Sequence, residues 1–277
     1  FIWNDILSEF TYDDYEGIYD GGGSVAQGVT AINNGVGIIN YRGWGNAQGW
    51  VKPSFFISDI ERLRISFNLP VVFSFVCNTG DFGNENNETC FGEKMIKTGT
   101  FINPKGAVAM VGPSDLDTDT KFNNVICADV WDHLLEKRIS ELAPALHAGK
   151  RAVLKEFGAD FEATGAAGTA NIPEFYYHVY GVLGDPSLSV WLGEPRHMSA
   201  SLDSNAPLAS SYISTSVTDE ESGASLMDVV GALIYNGELI AKGLSNKNGE
   251  LVIEFEEVPD NSVLELYLNK AQYFQKE

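Results

Sequence analysis

The sequence predicts an α/β domain followed by a small all-β module. Two observations carry this. Over roughly the first two hundred residues, short apolar runs bounded by turn residues alternate with helical stretches, the pattern of a buried, mostly parallel sheet flanked by helices. After Pro195 the helical signals stop, and short alternating strands separated by turn pairs take over. The expected division is therefore 1–194 for the α/β part and 195–277 for a β-sandwich.

The strands of the first part are read at Val36–Tyr41, Val71–Val76 and Ala107–Val111. Ser24 is placed to N-cap a helix running to Ile32, which Asn33-Asn34-Gly35 closes. Cys90 to Lys97 reads as a second helix ended by Gly99, and Phe122 to Phe157 as a long helical zone broken near Pro144. In the second part, Val229–Tyr235, Asn236-Gly237 and Glu238–Lys242 form a hairpin signal with a type I′ turn. Asn248-Gly249 opens a second hairpin before Leu251–Phe255, and Ser262–Leu268 supplies one more strand.

Composition limits the function. The 277 residues carry 18 Lys+Arg against 38 Asp+Glu, a net charge of −20. Such a surface repels phosphate backbones, so nucleic acid is excluded as a general partner. No apolar run reaches the roughly 20 residues of a bilayer-spanning helix. With 44% hydrophobic residues the chain has material for a real core. Three cysteines, Cys77, Cys90 and Cys127, cannot all pair, and their spacing fits no zinc pattern.

In an open α/β sheet, ligands bind beyond the carboxyl ends of the strands. The residues that follow the three apolar runs therefore matter most. They are Arg42-Gly43-Trp44-Gly45-Asn46, Cys77-Asn78-Thr79-Gly80-Asp81-Phe82, and Gly112-Pro113-Ser114-Asp115-Leu116-Asp117-Thr118-Asp119. The last contains a D-x-D-x-D run that suggests calcium on Asp115, Asp117 and Asp119, although the EF-hand glycine and the downstream bidentate Glu are missing. The bland alternative is a solvated acidic loop. Asp115 and Asp117 are also candidates to line a substrate cleft. The acidic clusters Asp13-Asp14-Glu16 and Asp219-Glu220-Glu221 read as solvated faces, and Gly21-Gly22-Gly23 as a turn.

Several of these segments, in order, resemble the gingipain-type cysteine peptidases of family C25. Ala31 to Gly43 looks like the segment before the catalytic histidine. Cys77 to Phe82, followed by Cys90-Phe91-Gly92-Glu93, resembles the nucleophile segment. Gly106–Val111 is similar to the next core strand, and Tyr180-Gly-Val-Leu-Gly-Asp-Pro-Ser-Leu188 to the last motif of the catalytic domain. The resemblance implies a caspase-like three-layer α/β/α domain with an immunoglobulin-like module behind it. It places the nucleophile at Cys77 and an oxyanion hole at the N–H groups of Gly45 and Cys77. It further implies a secreted or cell-surface protein and a peptide or protein substrate or ligand. No cofactor is expected to be required, and the structural calcium suggested by Asp115, Asp117 and Asp119 rests on the acidic run alone.

One departure governs the rest. The family's histidine position is Trp44, inside Gly43-Trp44-Gly45. A Cys–His dyad needs the imidazole to activate the thiol and later to protonate the leaving amine. Indole is a donor only and can do neither. Removing a triad's base costs up to ~10⁶ in kcat in a serine-protease precedent. His133, His147, His178 and His197 follow no core strand, so none is placed to substitute. Trp44 is expected to pack in the core or plug the cleft, with a ligand-stacking platform as the alternative. Two function classes follow: an impaired cysteine peptidase, or an inactive family member used for extracellular binding or assembly. A third, carbohydrate binding by exposed tryptophans such as Trp44 and Trp50, rests on composition alone.

The family's sheet also includes strands ahead of the segment matching Val36–Tyr41. The 35 residues before Val36 are too few for two βα units of about 30 residues each. An upstream segment is therefore expected, as a separate chain or as the rest of a precursor, with Phe1, Ile2 and Trp3 packed against it.

Overall fold

The computed structural model describes residues 18, 22–84, 89–137, 139–158, 172–202, 210–256, 258–259 and 261–277. Phe1, Ile2 and Trp3, and the acidic cluster at 13–16, lie outside them. The described chain divides between Leu192 and Gly193 into two compact units.

In the first unit the elements run α1 Val25–Asn33, β1 Ile38–Tyr41, β2 Gly45–Asn46, β3 Gly49–Val51, β4 Ser54–Phe56, α2 Ile57–Ile60, β5 Val71–Ser74 and α3 Phe91–Lys97. They continue with β6 Gly99–Thr100, β7 Asn103–Pro104, β8 Ala109–Pro113, α4 Thr120–Trp131, α5 Leu142–Phe157, α6 Pro173–Val179 and β9 Tyr180–Leu183. The main sheet has the order β1-β5-β8-β9. The β1–β5 and β5–β8 pairs are parallel, with Ile38 opposite Val71 and Val71 opposite Ala109. β9 closes the sheet antiparallel to β8, with Pro113 opposite Tyr180.

Alternation along β5 separates the two faces. Val72 and Val76, with Met110 of β8, join Ile32, Trp50, Ile60, Phe91 and Met95 in a core under α1, α2 and α3. Phe73 points the other way, its ring 5.2 Å from Trp131 of α4, and Phe75 lies 6.3 Å from Tyr180. The three apolar runs thus become β1, β5 and β8 of a three-layer domain, with β5 and β8 buried throughout and β1 partly buried at the edge of the sheet.

Local chemistry explains the helix ends. Ser24 and Gln27 form a reciprocal capping box at α1. The break in the long helical zone falls before Pro144 rather than at it. A π-helical turn, Asp132–Glu136, ends the first part, and α5 restarts at Leu142. The N–H groups of Leu142 and Ala143 donate to the carbonyls of Leu188 and Pro186. Pro144 follows them in the first turn, where a missing N–H costs nothing.

The second unit holds two three-stranded antiparallel sheets. One has the order β10 Met198–Ser201, β11 Tyr212–Asp219, β14 Glu250–Glu254. The other has β13 Glu238–Leu244, β12 Val230–Tyr235, β15 Glu265–Asn269. Val217, Leu251 and Ile253 from one sheet pack with Leu233 and Leu268 from the other in a single core, so the unit is a sandwich. Asn236 (φ 51°) and Gly237 (φ 81°) make the expected turn between β12 and β13. The second hairpin is corrected. Asn248-Gly249 is a crossover, because β13 pairs with β12 whereas β14 pairs with β11 in the other sheet.

Asp219, at the end of β11, is buried and fully engaged. Its carboxylate accepts from the Ser222 N–H and hydroxyl (2.8 Å each), the Tyr273 hydroxyl (2.8 Å) and Arg196 (2.9 Å). The Ser222 N–H first, and then the Tyr273 hydroxyl, hold its pKa down at about 2. A depressed carboxyl stabilises the fold above its unfolded value near 3.8 and loses that contribution as pH falls toward 2. Asp219→Ala is expected to cost about 2 kcal/mol or more, since it leaves the Tyr273 hydroxyl without its acceptor. Urea unfolding from pH 7 to pH 2 should show the gap between wild type and variant closing below pH 4. A gap that persists to pH 2 would mean the ionised carboxylate is not what stabilises.

Candidate active site

The three loops at the carboxyl ends of β1, β5 and β8 meet at Cys77. After β1 the chain makes a tight turn into the β2–β3 hairpin. A Cβ at Gly43 would lie 2.6 Å from the Tyr41 Oη and 3.1 Å from the Lys52 carbonyl, so no side chain fits there. The Tyr41 hydroxyl lies 2.8 Å from the Trp44 carbonyl and accepts from the Lys52 N–H. That carbonyl also accepts from the Val51 N–H at 2.8 Å. Because Trp44 and Val51 share this ladder bond, Gly45 and Trp50 form the next, non-hydrogen-bonded pair. The Gly45 N–H therefore points away from β3. A Cβ at Gly45 would lie 3.1 Å from Val76 and 3.3 Å from Thr79, so the backbone of Gly45 passes directly over the residues that flank Cys77.

The Cys77 loop is pinned to its neighbours by backbone bonds. Asn78 N–H donates to the Asp115 carbonyl (2.9 Å), Gly80 N–H to that of Pro113 (2.8 Å), and Gly92 N–H to that of Thr79 (2.8 Å). Asn78 takes φ 60°, a left-handed conformation that asparagine tolerates better than most residues. Arg42 ties all three loops together. Its guanidinium donates to the Phe75 carbonyl, the Thr120 carbonyl and the Asn124 side chain.

Cys77 is half-buried. Its sulfur lies 3.3 Å from the Thr118 hydroxyl and 3.7 Å from the Thr118 carbonyl. Thr118 in turn accepts from Asn123 (3.0 Å), and Asn123 from the Tyr180 hydroxyl (2.7 Å). Thr118, Asn123 and Tyr180 carry no charge or metal-ligand signal in the sequence, and Thr118 is obscured there by the aspartates on either side of it.

The acidic run is used locally. Asp115 accepts from the Asp117 N–H, and Asp119 caps α4 by accepting from the Lys121 N–H. Among the described residues, the His, Cys and carboxylate groups that converge are Asp129, near the end of α4, and Asp132 and His133 in the π-helical turn that follows. There the Lys137 ammonium already donates to Asp132.

Trp44 does not pack in the core. Its side chain is 77% exposed, held outward by the anchored backbone on either side. Trp50 is the opposite of an exposed sugar platform: it is 6% exposed, stacked 4.5 Å from Tyr41 and bonded to Ser74. The histidines are engaged elsewhere. His133 sits on Asp129, His147 packs edge-on to Tyr177, His178 pairs with Glu174, and His197 stacks on Phe274 in the second unit.

The other thiols are poor nucleophiles. Cys90 is fully buried, which pushes its thiol up, and burial pushes Cys127 up to about 12. Iodoacetamide at pH 8 should therefore label one site in the native protein, Cys77, and three after unfolding in guanidinium. Peptide mapping that found Cys90 or Cys127 labelled first would contradict this placement.

Residues 5–191 match the model of Peptidase family C25. The chain belongs to this family. Gingipain R2 of Porphyromonas gingivalis is 23% identical over 259 residues, covering 91% of this chain and 32% of its own length. Lys-gingipain of the same organism is 22% identical over 264 residues, covering 87% and 14%. The chain thus spans about a third or less of the curated relatives it matches. Among solved structures, the Arg-specific cysteine proteinase gingipain R (RGPB) superposes with a TM-score of 0.80 at 20% identity, over 99% of this chain and 60% of that one. The complex of Porphyromonas gingivalis RgpB pro- and mature domains matches equally, at 21% identity. A mixed α/β domain followed by small antiparallel β-sheets is thus a fold shared with the gingipain R structure over 99% of this chain, the C25 family match itself ending at residue 191. No helix among the described residues is long and apolar enough to cross a membrane.

Proposed function

We propose that this C25 domain binds polypeptide at the Cys77 cleft outside the cytoplasm and does not hydrolyse peptide bonds. The observation that carries the reading is Trp44. It occupies the position after β1 where the family resemblance puts the catalytic histidine, and each histidine in the described residues has partners away from Cys77. Without an imidazole the leaving amine finds no proton, and amide cleavage stalls. The family resemblance assigns an oxyanion hole to the N–H groups of Gly45 and Cys77, and the approach of Gly45 to Val76 and Thr79 supports reading them as a seat for an extended carbonyl. The exposed indole of Trp44, on a rigid hairpin beside that seat, offers a face on which a ligand's apolar or aromatic side chain stacks.

The test is direct. The reduced protein is incubated with a diverse peptide library, and the products are read by mass spectrometry against the Cys77→Ala variant. The expected result is the same background in both. Cleavage by wild type above that of Cys77→Ala would establish an active peptidase and overturn the proposal.

A further inference from the structure

We propose that Thr118 is a positioning residue that presents the Cys77 sulfur as an acyl acceptor without an imidazole, so that activated esters acylate Cys77. The inference rests on the assignment of Cys77 as the nucleophile position.

The polarity of the hydrogen-bond chain is fixed by its buried end. Tyr180 and Asn123 are each 2% exposed. The Tyr180 hydroxyl donates to Asn123 Oδ1 at 2.7 Å. Burial raises the Tyr180 pKa well above the usual phenol range, so it keeps its proton and remains a donor. Asn123 Nδ2 then faces Thr118 Oγ1 at 3.0 Å. An amide nitrogen can only donate, so the threonine oxygen accepts there. Its own proton is left for Cys77 Sγ at 3.3 Å. Lys150 locks the far end by donating to the carbonyls of Tyr177 (2.8 Å) and Tyr180 itself (2.6 Å), which fixes the joint between α6 and β9. Thr118 thus serves the sulfur in both protonation states. Its carbonyl, at 3.7 Å, accepts a hydrogen bond from the thiol, and its hydroxyl donates to the thiolate.

The chemistry then separates two substrate classes. The thiol gives its proton to water, and the thiolate attacks the acyl carbon, forming a C–S bond. Collapse breaks the C–O bond of an activated ester, and the phenolate departs with the electron pair and needs no proton. An amide differs because its amine must be protonated as it leaves. Hydrolysis of the resulting thioester needs an activated water, so the acyl group persists on Cys77.

The experiment uses the full chain with p-nitrophenyl acetate at pH 7. Release of p-nitrophenolate and transfer of one acetyl group to the Cys77 peptide are followed together. Thr118→Val is nearly isosteric but leaves the buried Asn123 amide without its acceptor, so its melting temperature is expected to fall by a few degrees, and rates are compared at a temperature where both proteins are fully folded. It is expected to acetylate about three- to tenfold more slowly, because the attacking sulfur loses the hydroxyl that donates to it. Thr118→Ser keeps the hydroxyl and should restore the wild-type rate, which a purely steric role would not predict. Acetylation of Thr118→Val at the wild-type rate, or of Thr118→Ser as slowly as Thr118→Val, would overturn the inference. Peptide cleavage by wild type would instead defeat the proposed function and leave the role of Thr118 intact.

Discussion

Trp44→His is expected to raise peptide-bond cleavage by about 10²- to 10⁴-fold over wild type, the usual contribution of a positioned acid–base group. The substitution changes the missing chemistry and little else. Trp44 is 77% exposed, so its removal should cost no more than about 0.5 kcal/mol. The backbone at 43–45 is set by bonds that do not involve the indole, namely the Tyr41 hydroxyl and the Val51 N–H on the Trp44 carbonyl. A histidine here therefore inherits a fixed Cα beside the Cys77 loop, where the close approach of Gly45 to Val76 and Thr79 already brings the two segments together. The gain would be read with a fluorogenic peptide library, with the Trp44→His, Cys77→Ala double variant as the blank. A folded Trp44→His protein with no gain would show that further parts of the machinery are missing, such as the acid that orients the imidazole. It would defeat the idea that Trp44 is the decisive lesion.

How much of this was legible in the sequence depended on what each residue answers to. The central strands β5 and β8 were readable because burial on both faces imposes continuous apolar runs, as in Val71-Val72-Phe73, and the partly buried edge strand β1 by its Ile38-Ile39 pair. Their carboxyl ends then located the site without further information. The Asn236-Gly237 turn was readable because only such residues take two positive φ values in a row. What failed was whatever depends on a distant partner. Asn248-Gly249 has the same local chemistry, yet its flanking strands go to different sheets, a choice made by the packing of Leu251 and Ile253. Trp44 and Trp50 are alike in composition and opposite in exposure, because the alternation of the hairpin turns one into the core and the other out of it. The chain from Tyr180 to Thr118 joins β9, α4 and the loop after β8, residues up to 57 positions apart in the case of Tyr180 and Asn123. No spacing rule foretells such a contact.

The core counterpart of Trp44 gives the second large effect. Trp50→Ala is expected to destabilise the protein by about 3–5 kcal/mol, the range for removing a large buried aromatic. The ring sits between Tyr41 (4.5 Å, nearly parallel), Phe91 (4.9 Å) and Phe55 (5.8 Å), and its indole N–H donates to Ser74 at 2.9 Å. Deleting it opens a cavity among side chains from β1, β4 and α3 that have nothing else to fill it. In a domain of this size the melting temperature should fall by roughly 10 °C. Trp50→Phe keeps most of the stacking and loses the N–H bond, so it should fall only by about 2–5 °C. The consequence reaches the site through Tyr41, whose ring stacks on Trp50 and whose hydroxyl fixes the Trp44 carbonyl. Once that stack is gone, the β2–β3 hairpin should loosen, and the Val51 N–H should exchange with solvent faster in Trp50→Ala than in Trp50→Phe. A Trp50→Ala protein with wild-type melting and unchanged Val51 exchange would mean that the hairpin is held by its own ladder and turn. The exposed placement of Trp44 would then owe nothing to the buried tryptophan across the strand.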